Sequence, residues 1–166
     1  MIACKNRWDI IFNTHEEISE FYAYISGPNG PIDFNSVIPM PDVLRHVLPM
    51  SKEFRMDGES VTVDAFYQRR RLRPAPPEER PFTAEEEEEY RNQPYYMGSN
   101  WATDFWGCQE NALYPEIHHG EVSTTIQFLT MIDPPVEVAK ALRNKFPNLN
   151  FEAFFVVPDE NRCGHY

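Results

Sequence analysis

The side chains with the greatest chemical range lie in the second half of the chain. Cys108, the adjacent pair His118-His119 and the run Cys163-Gly164-His165 contain the thiol and imidazole ligands that zinc accepts, but none falls at a recognised ligand spacing. Adjacent histidines just ahead of Gly120 read as a surface turn. A nucleophilic Cys108 would need a histidine and an orienting group beside it, which spacing along the chain does not supply. The 26 acidic residues offer many carboxylates, yet Asp9, Glu110, Glu116 and Asp133 form no pattern that singles out an acid and a base. The sequence contains no nucleophile elbow, phosphate loop, dinucleotide fingerprint or paired metal motif. The expectation is a protein that is not an enzyme and holds neither metal nor cofactor.

Charge and aromatic clustering point to binding instead. Acidic residues outnumber lysine and arginine 26 to 15, a formal charge of −11. Affinity for nucleic acid comes largely from lysine and arginine displacing counterions, so direct binding to DNA or RNA is disfavoured. The same excess suits a basic protein partner, and it also serves simple solubility. Two clusters are candidate contacts. The first is the glutamate run Glu85, Glu86, Glu87, Glu88 and Glu89, which reads either as a solvated helix face or as an electrostatic contact. The second is the aromatic strip Tyr95, Tyr96 and Trp101, continuing to Phe105 and Trp106, which reads either as core or as interface anchors. The basic knot Arg69-Arg70-Arg71-Leu72-Arg73 reads as a counterweight to the acidic run, with a phosphate site as the alternative.

The elements that must position these residues are clearest at the two ends of the chain. Trp8 to Phe12 reads as a strand, and Asn13-Thr14 stops it. Thr14 with Glu17 makes a capping-box pattern, after which Ile18, Phe21, Tyr22 and Ile25 mark one helical face. Near the other end, the run from Ser123 to Asp133 reads as a strand, Pro134-Pro135 as a tight turn, Val136 to Pro147 as an amphipathic helix and Phe151 to Val157 as a strand. These two halves of a small α+β sandwich bracket the rest. Ile32 to Pro41 is apolar but carries two prolines, so an extended crossing segment is expected. An insertion spans about residues 42–94. It contains a short helix around Leu44, Val47 and Leu48, a strand or helix start over Ser60 to Tyr67, a proline-rich tether over Pro74 to Pro81, and a helix opened by the capping box Thr83 and Glu86. With 42% hydrophobic and 14% aromatic content, the 166 residues can bury one core, and a single domain is expected.

Three blocks carry a family resemblance. They are Phe34 to Pro41, Asn100 to Cys108, and Ile126 to Thr130 with Pro134-Pro135, Phe146-Pro147 and the closing Gly164-His165-Tyr166. In their order and spacing they resemble the YubB ferredoxin-like domain family of plasmid and phage proteins, over about 100 residues. That family has a Trp-Gly-Thr-Lys-Trp strand and a tryptophan ahead of its proline pair. Here Trp101-Ala102-Thr103-Asp104-Phe105 approximates the first, and Ile132 stands in place of the second. The resemblance implies a ferredoxin-like βαββαβ sandwich with a long, partly helical insertion between the first helix and the second strand. It also implies antiparallel first and last strands, which would bring Cys4 near Cys163, as thiols rather than as a disulfide. The family supplies no catalytic residues.

Together these readings lead to an expected small accessory protein of a phage or plasmid that acts by binding another protein. The most concrete form is a counter-defence inhibitor, of a CRISPR or restriction complex for example, whose acidic surface mimics nucleic acid in a basic channel. The alternative is a ligand-binding or enzymatic ferredoxin-like domain that holds a nucleotide or metabolite on its aromatic and arginine surface. A self-associating structural component is a third possibility. Met1 to Asn6 lacks the basic start and apolar stretch of a secretory signal, so a location in the cytoplasm of a bacterial host is expected.

Overall fold

Alternation of buried and exposed residues along the first strand decides which face of the sheet is covered. The computed structural model describes residues 2–46, 53–56, 59–62, 83–95 and 98–166. The chain divides into two compact units, Met1–Met40 with Ser99–Tyr166, and Pro41–Gly98. In the first unit, strand β1 (Ala3–Ile11) turns Cys4, Asn6, Trp8 and Ile10 inward while Lys5, Arg7 and Ile11 face solvent. Helix α1 (His15–Ile25) follows, and Thr14 caps it as its spacing to Glu17 predicts. The Glu17 backbone N–H donates to the Thr14 hydroxyl at 3.2 Å, and the Thr14 N–H donates to the Glu17 carboxylate at 3.3 Å. Phe21 and Ile25 bury the inner face of this helix.

The next segment departs from expectation. Instead of crossing as extended chain, it forms a short helix, α2 (Phe34–Val37). Proline denies a place inside a sheet but does not forbid a single helical turn, and Asp33 supplies the cap. Its buried carboxylate accepts from the backbone N–H groups of Asn29 at 3.2 Å and Asn35 at 3.1 Å, and from the side-chain amides of Asn29 at 3.0 Å and Asn111 at 3.2 Å.

The second unit contains α3 (Asp42–His46), a two-stranded antiparallel sheet of β2 (Glu53–Met56) and β3 (Glu59–Thr62), and α4 (Ala84–Asn92). Thr83 and Glu86 form the predicted capping box of α4. The basic knot and the proline-rich tether lie outside the described residues. Helix α5 (Gly98–Trp106) occupies the block in which the family resemblance implies a strand. Its inward side chains Trp101, Ala102 and Trp106 follow helical spacing.

The chain then returns through β4 (Leu113–His119), β5 (Ser123–Met131), α6 (Val136–Lys145) and β6 (Asn150–Val157). A 3-10 turn over Pro158–Glu160 leads into β7 (Arg162–His165). The result is a mixed α/β unit whose five-stranded sheet has the order β4-β5-β1-β6-β7, with every neighbouring pair antiparallel. The four-stranded sandwich implied by the resemblance did not include β7, which adds a new edge beyond β6. Trp8 lies at the centre of the core, with its ring 4.8 Å from Phe128, 5.3 Å from Phe151 and 6.3 Å from Phe34. Phe34 in turn meets Trp106 at 5.8 Å. Truncating a ring buried this deeply costs about 3–5 kcal/mol.

Candidate functional site

The glutamate run lies on α4, in the second unit. Glu85, Glu87, Glu88 and Glu89 are exposed, and Glu86 is half-buried because its carboxylate turns back to cap the helix. Glu87 pairs with Arg91 one turn on, at 3.4 Å. Acidic residues in the first turn are favoured there by the helix dipole, so one run of residues serves both the helix and the solvent-facing charge. The aromatic candidates divide between the two units. Trp101 is 6% exposed and forms part of the core of the first unit, while Phe105, stacked on it at 4.6 Å, is 43% exposed. Tyr95 is half-buried in the second unit, and Tyr96 lies outside the described residues.

Most of the negative charge is elsewhere. The sheet unit carries six lysines and arginines against fourteen aspartates and glutamates, a formal −8, whereas residues 41–98 carry nine against twelve, a formal −3. The cations of the sheet unit are largely engaged by its own groups. Arg7 pairs with Asp9 at 2.9 Å, Lys140 with Glu137 at 2.8 Å, and Arg162 with Asp133 at 2.8 Å and Glu160 at 3.0 Å. Arg143 donates to the Tyr166 carbonyl at 2.6 Å and lies over the Phe151 ring, and Lys145 lies over Tyr24. Glu16 and Glu20 on α1, Glu121 in the β4–β5 turn, Glu152 on β6 and Asp159 after it are exposed. These carboxylates were missed because they are scattered through the sequence and do not form a run.

One pair of carboxylates faces across the open side of the sheet. Asp9 and Glu152 are direct cross-strand partners on β1 and β6, an unfavourable pairing of like charges. Burial alone would raise the Asp9 pKa. The Thr125 hydroxyl, donating at 2.7 Å, and Arg7 outweigh it and hold the carboxyl below its ordinary value.

The thiols and histidines do not converge. Cys4 points into the core from β1. Cys163 is exposed on β7, with β6 between them, and its register through Val156 to Lys5 puts it on the opposite face of the sheet. The proximity expected of this pair is therefore replaced by separation, because β7 adds a strand beyond β6. Cys108 is buried, donates to the Glu110 carbonyl at 3.2 Å, and has its pKa pushed up by burial, so the thiol form is favoured over the nucleophilic thiolate. His118 and His119 belong to β4 rather than to a turn. His118 lies 4.0 Å from Glu116, and His119 stacks edge-on with Tyr22 at 5.4 Å. Among the described residues, no three potential metal ligands share a site.

A buried polar network went unread in the sequence. Trp8 Nε1 donates to the Tyr166 hydroxyl at 2.7 Å, and that hydroxyl donates to Asn6 Oδ1 at 3.0 Å. Asn6 Nδ2 donates to Thr130 Oγ1 at 2.9 Å, and Thr130 Oγ1 donates to the Asp133 carbonyl at 2.7 Å. The only local sign of it was a polar Asn6 at an inward position of an alternating strand. No helix among the described residues is long and apolar enough to cross a membrane.

The fold and this surface define a mixed α/β protein with an acidic exterior. No protein-family model, no curated protein and no solved structure matches the chain.

Proposed function

We propose that this chain is a ferredoxin-like protein-binding module that docks through carboxylates onto a basic surface of another protein. The observation that carries the reading is the charge distribution. The sheet unit has a formal −8 and spends most of its cations on internal partners, and Glu85, Glu87, Glu88 and Glu89 add an exposed acidic helix face in the second unit. Complementary potential of this kind speeds encounter and rejects wrong partners. In its concrete form the partner is a nucleic-acid-handling complex of a bacterial host, and the module is a phage or plasmid inhibitor that takes the place of the phosphate backbone.

The test is retention of a partner from bacterial lysate at low salt, repeated with two charge-reversed proteins, Glu16→Lys/Glu20→Lys and Glu85→Lys/Glu88→Lys/Glu89→Lys. A basic, nucleic-acid-handling protein that elutes as salt rises, and that at least one reversed protein fails to hold, supports the proposal. A partner held equally by all three proteins and insensitive to salt overturns it.

A further inference from the structure

Between α1 and α2 the chain folds back on itself over Gly27-Pro28-Asn29-Gly30. Gly27 and Gly30 exchange both of their backbone hydrogen bonds, at 3.0 and 3.1 Å, and Gly30 takes φ +139°, a value that glycine adopts without strain. Asn29 is exposed in this turn, and it is the one asparagine of the chain that a glycine follows. That order has a chemical consequence. The backbone nitrogen after an asparagine can attack the side-chain amide carbon, and a glycine there has no side chain to hinder the approach. The space around it is open too, since an atom at the Cβ position of Gly30 would meet nothing within 4 Å.

The same asparagine fastens a buried charge. Asp33 is 1% exposed, and among the described residues it pairs with no cation. Four N–H donors take the place of water. Asn29 supplies two of them to Oδ2, its backbone N–H at 3.2 Å and Nδ2 at 3.0 Å, while the Asn35 N–H and Asn111 Nδ2 serve Oδ1. Asp33 in turn caps α2, whose Phe34 packs on Trp8 and Trp106 and donates its backbone N–H to Asn111 Oδ1 at 2.8 Å.

We infer that Asn29 is a site of self-modification, at which deamidation turns the amide into a carboxylate and unfastens Asp33. The Gly30 nitrogen bonds to Asn29 Cγ, the bond from Cγ to Nδ2 breaks, and Nδ2 leaves as ammonia with the proton that the Gly30 nitrogen gives up through solvent. Water then opens the five-membered imide at either carbonyl, leaving aspartate or isoaspartate at position 29. No oxidation or reduction occurs, and water is the only co-reactant. The atom that leaves is the donor that bound Asp33 Oδ2. A second carboxylate now faces a buried one, and each disfavours the charge of the other. The isoaspartate product also adds a methylene to the backbone of a turn closed by Gly27 and Gly30. Both products loosen the cap of α2, and the change runs one way because hydrolysis does not restore the amide. In the folded chain the Gly27 carbonyl holds the Gly30 N–H and Asp33 holds Asn29 Nδ2, so the reaction waits on opening of the turn and the fold sets its pace.

Peptide mapping by mass spectrometry of the full chain, aged in mildly alkaline buffer, is the first test. Acid is expected at Asn29 ahead of every other asparagine, and more slowly than in the same chain unfolded in guanidinium chloride. Asn29→Asp, the product made directly, is expected to lower the thermal midpoint. Adding Asp33→Asn returns one amide and one carboxylate to the pair and is expected to recover part of that loss; if Asn29→Asp alone does not fold, a folded double variant gives the same answer. Three results would overturn the inference: an aged folded chain that keeps its amide at Asn29 after the unfolded chain has lost it, an Asn29→Asp protein with the midpoint of the unaltered chain, or a double variant no more stable than Asn29→Asp.

Discussion

The Trp8 indole N–H donates to the Tyr166 hydroxyl at 2.7 Å, a bond that joins the first strand of the sheet to a residue 158 positions later. The hydroxyl passes the chain of bonds on to Asn6, so each group satisfies another that burial would leave without water. Tyr166→Phe removes the central member and leaves the indole donor without its partner. The expected cost is about 1–3 kcal/mol, read from urea unfolding followed by tryptophan fluorescence. Burial also pushes the Tyr166 phenol above its ordinary value. A raised folded-state pKa means that the associated stability is complete below the unfolded value of about 10 and is lost as pH climbs above it. Tyr166→Phe should accordingly flatten the alkaline limb of the stability curve.

Gly107 ends α5 with φ +87°, in the left-handed region, directly against the start of α6. A Cβ there would lie 2.8 Å from the Val136 nitrogen and 3.1 Å from the Pro134 carbonyl oxygen, both of them backbone atoms. Gly107→Ala should therefore destabilise the fold by more than about 1 kcal/mol, through strain and displacement of the helix start together. Thermal unfolding measures this. An unchanged midpoint would show that the α5–α6 junction is looser than this geometry implies.

The depressed pKa of Asp9 has a defined sign. Its folded-state value lies below the unfolded one, so the stabilisation is complete above about pH 4 and is lost as pH falls through the folded value. Asp9→Asn should remove that part of the acid dependence and release the Arg7 side chain. A carboxyl-carbon NMR titration of the unaltered protein should place the Asp9 midpoint below the ordinary 3.8.

What could be read in the sequence was local. Thr14 with Glu17 and Thr83 with Glu86 announced their helices because a capping box is complete within four residues. The strand that begins at Ser123 and the helix that begins at Val136 declared themselves by pattern, and the structure ends them at Met131 and Lys145. The failures have equally physical reasons. The first residues of β1 include Lys5 and Asn6, whose polarity hid the start of a strand in which Asn6 is buried by a network closed from Tyr166. Asp33 made a helical turn where Pro39 and Pro41 suggested extended chain. His118 and His119 looked like a turn because Gly120 follows them, whereas their strand is set by pairing with Thr124 and Thr125. The candidate site was legible only as the glutamate run. The other exposed carboxylates of the sheet unit lie on α1, β6 and two turns, and no window of sequence contains them.

The central claim is that carboxylates of this chain occupy a basic surface that otherwise holds nucleic acid. Its most direct test is the affinity of the purified protein for the basic partner it retains, measured against ionic strength with a labelled oligonucleotide as competitor. The account predicts that protein and oligonucleotide exclude one another and that affinity falls steeply as salt rises. Simultaneous binding of both, at an affinity that salt leaves unchanged, would contradict it.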